Sequence, residues 1–154
     1  MALVAYSITY PNIMIDDQGG SSTFLLTVRE ALNRIISRPK GLQWVQELNQ
    51  NAPVFNPWGG GVKIYRAALP IASGGSKAAP VSEANAGGIG SASGVAWNSN
   101  IFAIPNQGPR PPFIGLAHEL IHAWHNAMGT KKVDYDEEES FTVGLGAYML
   151  PAPG

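Results

Sequence analysis

One segment leaves this chain little freedom. Between the breaks at Pro109, Pro111 and Pro112 and the glycine at position 129, the residues Ile114, Leu116, Ala117, Leu120, Ile121, Trp124 and Met128 recur at helical spacing. The pattern predicts a helix from about Phe113 to Met128, stopped by Gly129 just beyond its C-terminus. So broad an apolar surface demands burial, so the helix must lie against other elements. The same helix holds all three histidines of the chain, His118, His122 and His125, and the only acid between Glu83 and Asp134, which is Glu119.

The remaining elements can be read around it. Ala2 to Asp16 alternates loosely and is rich in Val, Ile and Tyr, which predicts one or two strands broken near Pro11-Asn12. Ser22 or Thr23 can cap a helix with Phe24, Leu25, Val28, Leu32, Ile35 and Ile36 at helical spacing, ended by Pro39. A shorter helix follows with Leu42, Val45 and Leu48 on one face, then a strand from Val62 to Arg66. Ala72 to Gly94 is Gly, Ala and Ser with little apolar content, and reads as a long surface loop or flap. Gly94 to Pro105 reads as a strand or hairpin with Val95 and Trp97 on one side, and a last helix is expected from about Asp136 to Met149. The length of 154 residues fits a single domain over 1–154, large enough for a core without staples.

Composition removes several functional classes. Ten Lys+Arg against eleven Asp+Glu leave no basic stripe for nucleic acid and no polybasic run for anionic lipid. The absence of cysteine excludes disulfide scaffolds and thiolate metal sites. It suits a cytosolic protein, or one that must unfold to pass a secretion channel. The N-terminus lacks a cationic and apolar signal-peptide pattern, and no stretch approaches the ~20 apolar residues that span a bilayer.

"HELIH", His118 to His122, matches HExxH. Positions i and i+4 share one helix face, so two imidazoles there can hold one Zn²⁺, each at about 2.0–2.1 Å. Zinc lowers the pKa of a bound water towards ~7, and Glu119, one step round from His118, is placed to take its proton during attack on a carbonyl. His125 lies ~10 Å beyond His118 along the axis and reads as a packing or hydrogen-bonding residue. No histidine remains for a third ligand, so a carboxylate is required. Five of the eleven acids lie between Asp134 and Glu139. One of Glu137 to Glu139 can serve if the last helix folds back, although acids also suit a helix N-terminus for its own sake.

With "HELIHAWHNAMG" followed by "EESFTVG", the chain resembles the clostridial neurotoxin light chains, where HELIHxxH precedes a Glu-Glu pair and Thr-x-Gly. It is more similar to the NleD-like effector metalloproteases of type III secretion and related toxin domains. That likeness covers most of the chain and includes Arg38-Pro39-Lys40-Gly41 after an amphipathic helix, "SGVAWNSN", and Pro-Pro before "LAHELIHA". The resemblance implies zinc held by His118, His122 and Glu139, with Glu119 as general base and Glu138 orienting a ligand histidine. It also implies a downstream Arg and Tyr that stabilise the oxyanion. Here the tail after Gly144 carries only Tyr148, with Arg110, Tyr135 and Arg66 as substitutes elsewhere, a departure that suggests a truncated chain.

The expectation is therefore an α+β, zincin-like domain: a small zinc endopeptidase core with a few-stranded sheet on one side of the histidine helix. A substrate strand would pair with the sheet edge near Val95 to Asn98, and the Ala72 to Gly94 loop would rim the cleft. The resemblance implies an effector or toxin domain, exported by a non-Sec route, cleaving a protein in the target-cell cytoplasm, and a monomer is expected. Neither nucleic acid nor membrane is expected as a partner. A zinc-stabilised, non-catalytic binding module is the alternative.

Overall fold

The computed structural model describes residues 3–16, 22–51, 61–67, 74–79, 90–100, 103–104, 108–109 and 111–132, of which 22, 74–79, 103–104 and 108–109 are described by backbone only. In chain order the elements are β1 (Leu3–Ala5), β2 (Ile13–Asp16), α1 (Ser22–Ile36), α2 (Pro39–Asn51), β3 (Val62–Arg66), β4 (Gly74–Ala79), β5 (Ala92–Trp97), β6 (Ala103–Ile104), β7 (Gly108–Pro109) and α3 (Pro112–Met128). Five strands form one mixed sheet in the order β1-β2-β3-β5-β4. β2, β3 and β5 are parallel, while β1 and β4 run antiparallel to their neighbours. β6 and β7 make a separate two-stranded pair. This is the α+β architecture expected, with the sheet on one side of the histidine helix.

Strand alternation explains which face is covered. Ile13 and Ile15 register with Val62 and Ile64, and these with Ser93 and Val95. Cross-strand partners point to the same face, and all six of these residues are buried. Against that face lie Phe24, Val28, Leu32 and Ile35 of α1, Val45 and Leu48 of α2, and Leu116, Leu120, Ala123 and Ala127 of α3. Met14, Lys63, Tyr65 and Ala96 alternate onto the other face and are only half-buried. Completely burying a residue such as Leu116 or Leu120 contributes roughly 1.5–3 kcal/mol. Packing of this kind, more than helix propensity, holds α3, because His, Trp and Asn in its second half are mediocre helix formers.

The helix ends follow from their residues. Pro112 occupies the first turn of α3, where a missing N–H costs nothing. Gly129 is left-handed (φ 65°), and the N–H groups of Gly129 and Thr130 return to the carbonyls of Asn126 and His125, the expected glycine stop in Schellman form. Pro39 does more than end α1, since it is the first residue of α2. The tight turn needs a glycine two residues on: a Cβ on Gly41 would lie 2.0 Å from the Ile35 carbonyl oxygen.

Two expectations are corrected. The sheet edge is not at Val95 to Asn98, because β5 lies between β3 and β4 and is hydrogen-bonded on both sides. The Ala72 to Gly94 stretch is not one long loop either. It contains β4, which forms an edge of the sheet among the described residues, and the start of β5. Small residues hid β4 from a reading based on apolar periodicity, since a backbone ladder needs no side-chain signal. Gly90 and Ser91, in the same stretch, pack on the C-terminal half of α3, where the Ser91 N–H donates to the Asn126 carbonyl at 2.8 Å.

Gly90 combines φ 97° with a position where a Cβ would meet the Ala127 carbonyl oxygen at 2.0 Å. Gly90→Ala is therefore expected to lose at least the ~1–3 kcal/mol typical of a strained backbone, measured by urea unfolding. An unchanged midpoint would show that α3 tolerates displacement from β5.

Candidate metal centre

Three hydrogen bonds hold α3 in place before any chemistry is considered. Trp97, at the end of β5, donates its indole N–H to the Pro112 carbonyl at 3.0 Å, fixing the first turn of the helix. Near the other end, the buried Asn126 side chain donates from Nδ2 to Ser93 Oγ of β5 at 2.9 Å. On the flank towards α2, Trp124 donates from Nε1 to Glu47 Oε2 at 2.6 Å. The last bond reaches a carboxylate, a class worth about 1.5–3 kcal/mol against roughly 0.5–1.5 for neutral pairs. None of these ties was read from the sequence. The available signal was the polar handle that a packed tryptophan must satisfy.

Between these anchors, His118 and His122 are half-buried on one face of α3. Their Nε2 atoms are 3.2 Å apart, and the rings meet edge-on with centroids 4.8 Å apart. Two nitrogens on a tetrahedral zinc, each at about 2.0–2.1 Å, are separated by ~3.3 Å. The donor pair therefore fits a shared ion without rearrangement of the helix. Glu119, next in sequence, is 7 % exposed. His125 is 1 % exposed, stands edge-on to His122 with centroids 6.4 Å apart, and leans on Trp124. It packs behind the pair, in keeping with the role read for it.

Among the described residues, no group of three histidine, cysteine or carboxylate side chains is assembled for a metal. Glu138 and Glu139 lie outside the described residues, as do Glu137, Arg110, Tyr135, Tyr148 and the whole predicted last helix. Arg66 is described. Its guanidinium sits over the Phe24 ring at 5.2 Å, and it borders a polar cavity with Thr23 and Asn98 whose described lining contains no histidine.

A family model described as Peptidase_M91: Effector protein matches residues 12–145, nearly the whole chain. The chain belongs to this family. The NleD-like resemblance read from the motifs is thus correct, and membership in a metallopeptidase effector family implies a zincin-like peptidase and a metal. No curated protein matches the chain. The match spans every element from β2 to α3. Among the described residues, no helix is long and apolar enough to cross a membrane.

For an M91 family member built in this way, His118→Ala and His122→Ala are each expected to weaken zinc binding by more than the roughly 10–100-fold that loss of a supporting outer group costs. His125→Ala should keep the metal but lower the melting temperature, because a fully buried ring leaves a void. Competition with a chelating dye, alongside thermal melts, separates the two effects. Equal zinc affinity in His118→Ala and the unmodified protein would move the metal elsewhere.

Proposed function

We propose that the chain is a zinc-dependent endopeptidase, an effector that cleaves a protein inside a target cell. The observation that carries the reading is the 3.2 Å separation of the His118 and His122 Nε2 atoms on a helix tied down at three points. In this reading His118, His122 and Glu139 hold the zinc, and Glu138 orients a ligand histidine. The choice of Glu139 rests on the family pattern, Glu-Glu followed by Thr142 and Gly144. Bound zinc supplies Lewis acidity towards a carbonyl oxygen and a water of lowered pKa.

The chain's own residues do the rest. Glu119 accepts a proton from the attacking water and returns it to the leaving amine, so the amide bond breaks with no charge left on the nitrogen. β4 has one sheet neighbour among the described residues and lies beside α3. A substrate strand added along β4 would have its main chain aligned by backbone hydrogen bonds and would pass close to the histidine face. Export by a non-Sec route, action in the target-cell cytoplasm and a monomeric state complete the proposal. The effector family supports delivery into a target cell.

New peptide termini in target-cell lysate, mapped for the unmodified protein and for Glu119→Gln, test this reading. The variant should bind zinc as the native protein does and lose cleavage by about 10²–10⁴-fold, the scale of a general base. Indistinguishable terminus maps with equal zinc content would favour the non-catalytic binding module.

A further inference from the structure

On the flank of α3 opposite β5, between α3, the end of α1 and the start of α2, lies an open cavity of about 390 Å³. Trp44, Phe113, Ile114 and Ile121 supply apolar wall, and His118 belongs to the same lining. Ile114 is 39 % exposed, so apolar surface faces solvent at the mouth. Arg34, Arg38 and Lys40 also line the cavity and are exposed, which places three cations at its rim. No acid belongs to its described lining. Arg34 is held in position, with its guanidinium carbon 4.9 Å from the centroid of the Phe113 ring.

We infer that this cavity is a specificity subsite that takes a large apolar side chain, aromatic or branched aliphatic, from a protein segment carrying acidic residues beside it. The inference rests on the peptidase reading above and names its substrate class. Three observations select this occupant. The cavity shares His118 with the candidate metal centre, so a chain whose peptide bond lies at the histidine pair has a neighbouring side chain within reach. Its volume falls in the lower part of the roughly 300–1,000 Å³ range of ligand sites, which suits one bulky side chain rather than a folded surface. Its apolar wall rewards a desolvated hydrocarbon group, while the rim of like charge favours carboxylates on the flanking residues and repels basic ones. Specificity here is divided, with the wall selecting shape and the rim selecting sign.

The test uses the full zinc-loaded chain, a proteome-derived peptide library and mass spectrometry of the products. Two variants change only exposed positions: Arg38→Glu with Lys40→Glu, and Ile114→Trp, which narrows the cavity. Thermal melts check that both fold. In parallel, fluorescent peptides copied from the best-cleaved sequences are titrated against Glu119→Gln forms and read by anisotropy, a measure of binding that needs no turnover.

The unmodified protein should show a bulky apolar preference at one position beside the cut, with acidic residues flanking it. Charge reversal should shift the flanking preference from acidic to basic and weaken binding of acidic peptides by about tenfold, the scale of rim ion pairs made repulsive. That effect should fall on KM rather than kcat. Ile114→Trp should depress cleavage of bulky sequences while sparing small ones. Cleavage with no such preference, or with profiles unmoved by both variants, overturns the subsite and leaves the peptidase standing. A native protein that dimerises, with Ile114→Trp restoring monomers, assigns the groove to a second copy and overturns it too. No cleavage beyond that of Glu119→Gln, together with no peptide binding, removes both readings.

Discussion

The contact on which the rest depends is that between α3 and β5. A helix can carry two imidazoles at i and i+4 and still present them to nothing if it is free to roll or slide. Here β5 fixes it at both ends. The Trp97 indole holds the Pro112 carbonyl, and Ser93 accepts from Asn126, whose own carbonyl accepts from the Ser91 N–H. Gly90 lets the chain entering β5 approach the Ala127 carbonyl closely enough for the last of these bonds to form. Three hydrogen bonds and one missing methyl group thus set the axial position of the histidines, while Leu116, Leu120 and Ala123 set the rotation. The Nε2 separation of 3.2 Å follows from the i, i+4 spacing on one helix, and the contact with β5 sets where that pair is presented.

The parts of this architecture that periodicity encodes could be read directly. Phe24, Val28, Leu32 and Ile35 repeat as a helix does, Ile13 and Ile15 alternate as a strand does, and all are buried as their pattern demands. The HExxH helix could also be bounded, because proline and glycine act locally on backbone angles. Strand order could not be read, since it depends on contacts between residues far apart in sequence. β4 is an instance: Gly74-Gly75-Ser76-Lys77-Ala78-Ala79 pairs with β5 through its backbone alone, so composition marked it as a loop. Once β4 is present, β5 becomes an interior strand. The residues from Ser91 to Gly94 are buried in that interior position, although their small side chains carry no apolar signal of it.

The candidate site was legible to a different degree in each of its parts. His118, Glu119 and His122 lie within two helical turns, where spacing alone determines geometry. A carboxylate from another element, as proposed, would arrive only by a chain reversal that no local pattern specifies, and Glu138 and Glu139 fall outside the described residues. Glu47 shows a similar blindness on a smaller scale. On α2 it accepts the indole N–H of Trp124, 77 residues later in the chain, a partner that no local pattern specifies.

The two flanks of α3 also divide the recognition of an extended chain. Successive residues turn by about 100° around a helix, so Asn126, bonded to β5, and Trp124, bonded to α2, point to different sides. His118 and His122 lie between those sides, away from the buried row of Leu116, Leu120 and Ala123. In the proposed peptidase, a peptide crossing α3 over the histidine pair would meet the β4 edge of the described sheet on one flank and a side-chain cavity on the other. A strand edge reads main chain and is indifferent to sequence, whereas the cavity reads a side chain and the sign of its neighbours. If the edge supplies alignment, selectivity has to come from the cavity and from the Arg38-Pro39-Lys40-Gly41 turn that borders it. That turn is then more than a connector. Pro39 starts α2, Gly41 brings it against the Ile35 carbonyl, and the two residues between and before them hold out positive charge beside His118.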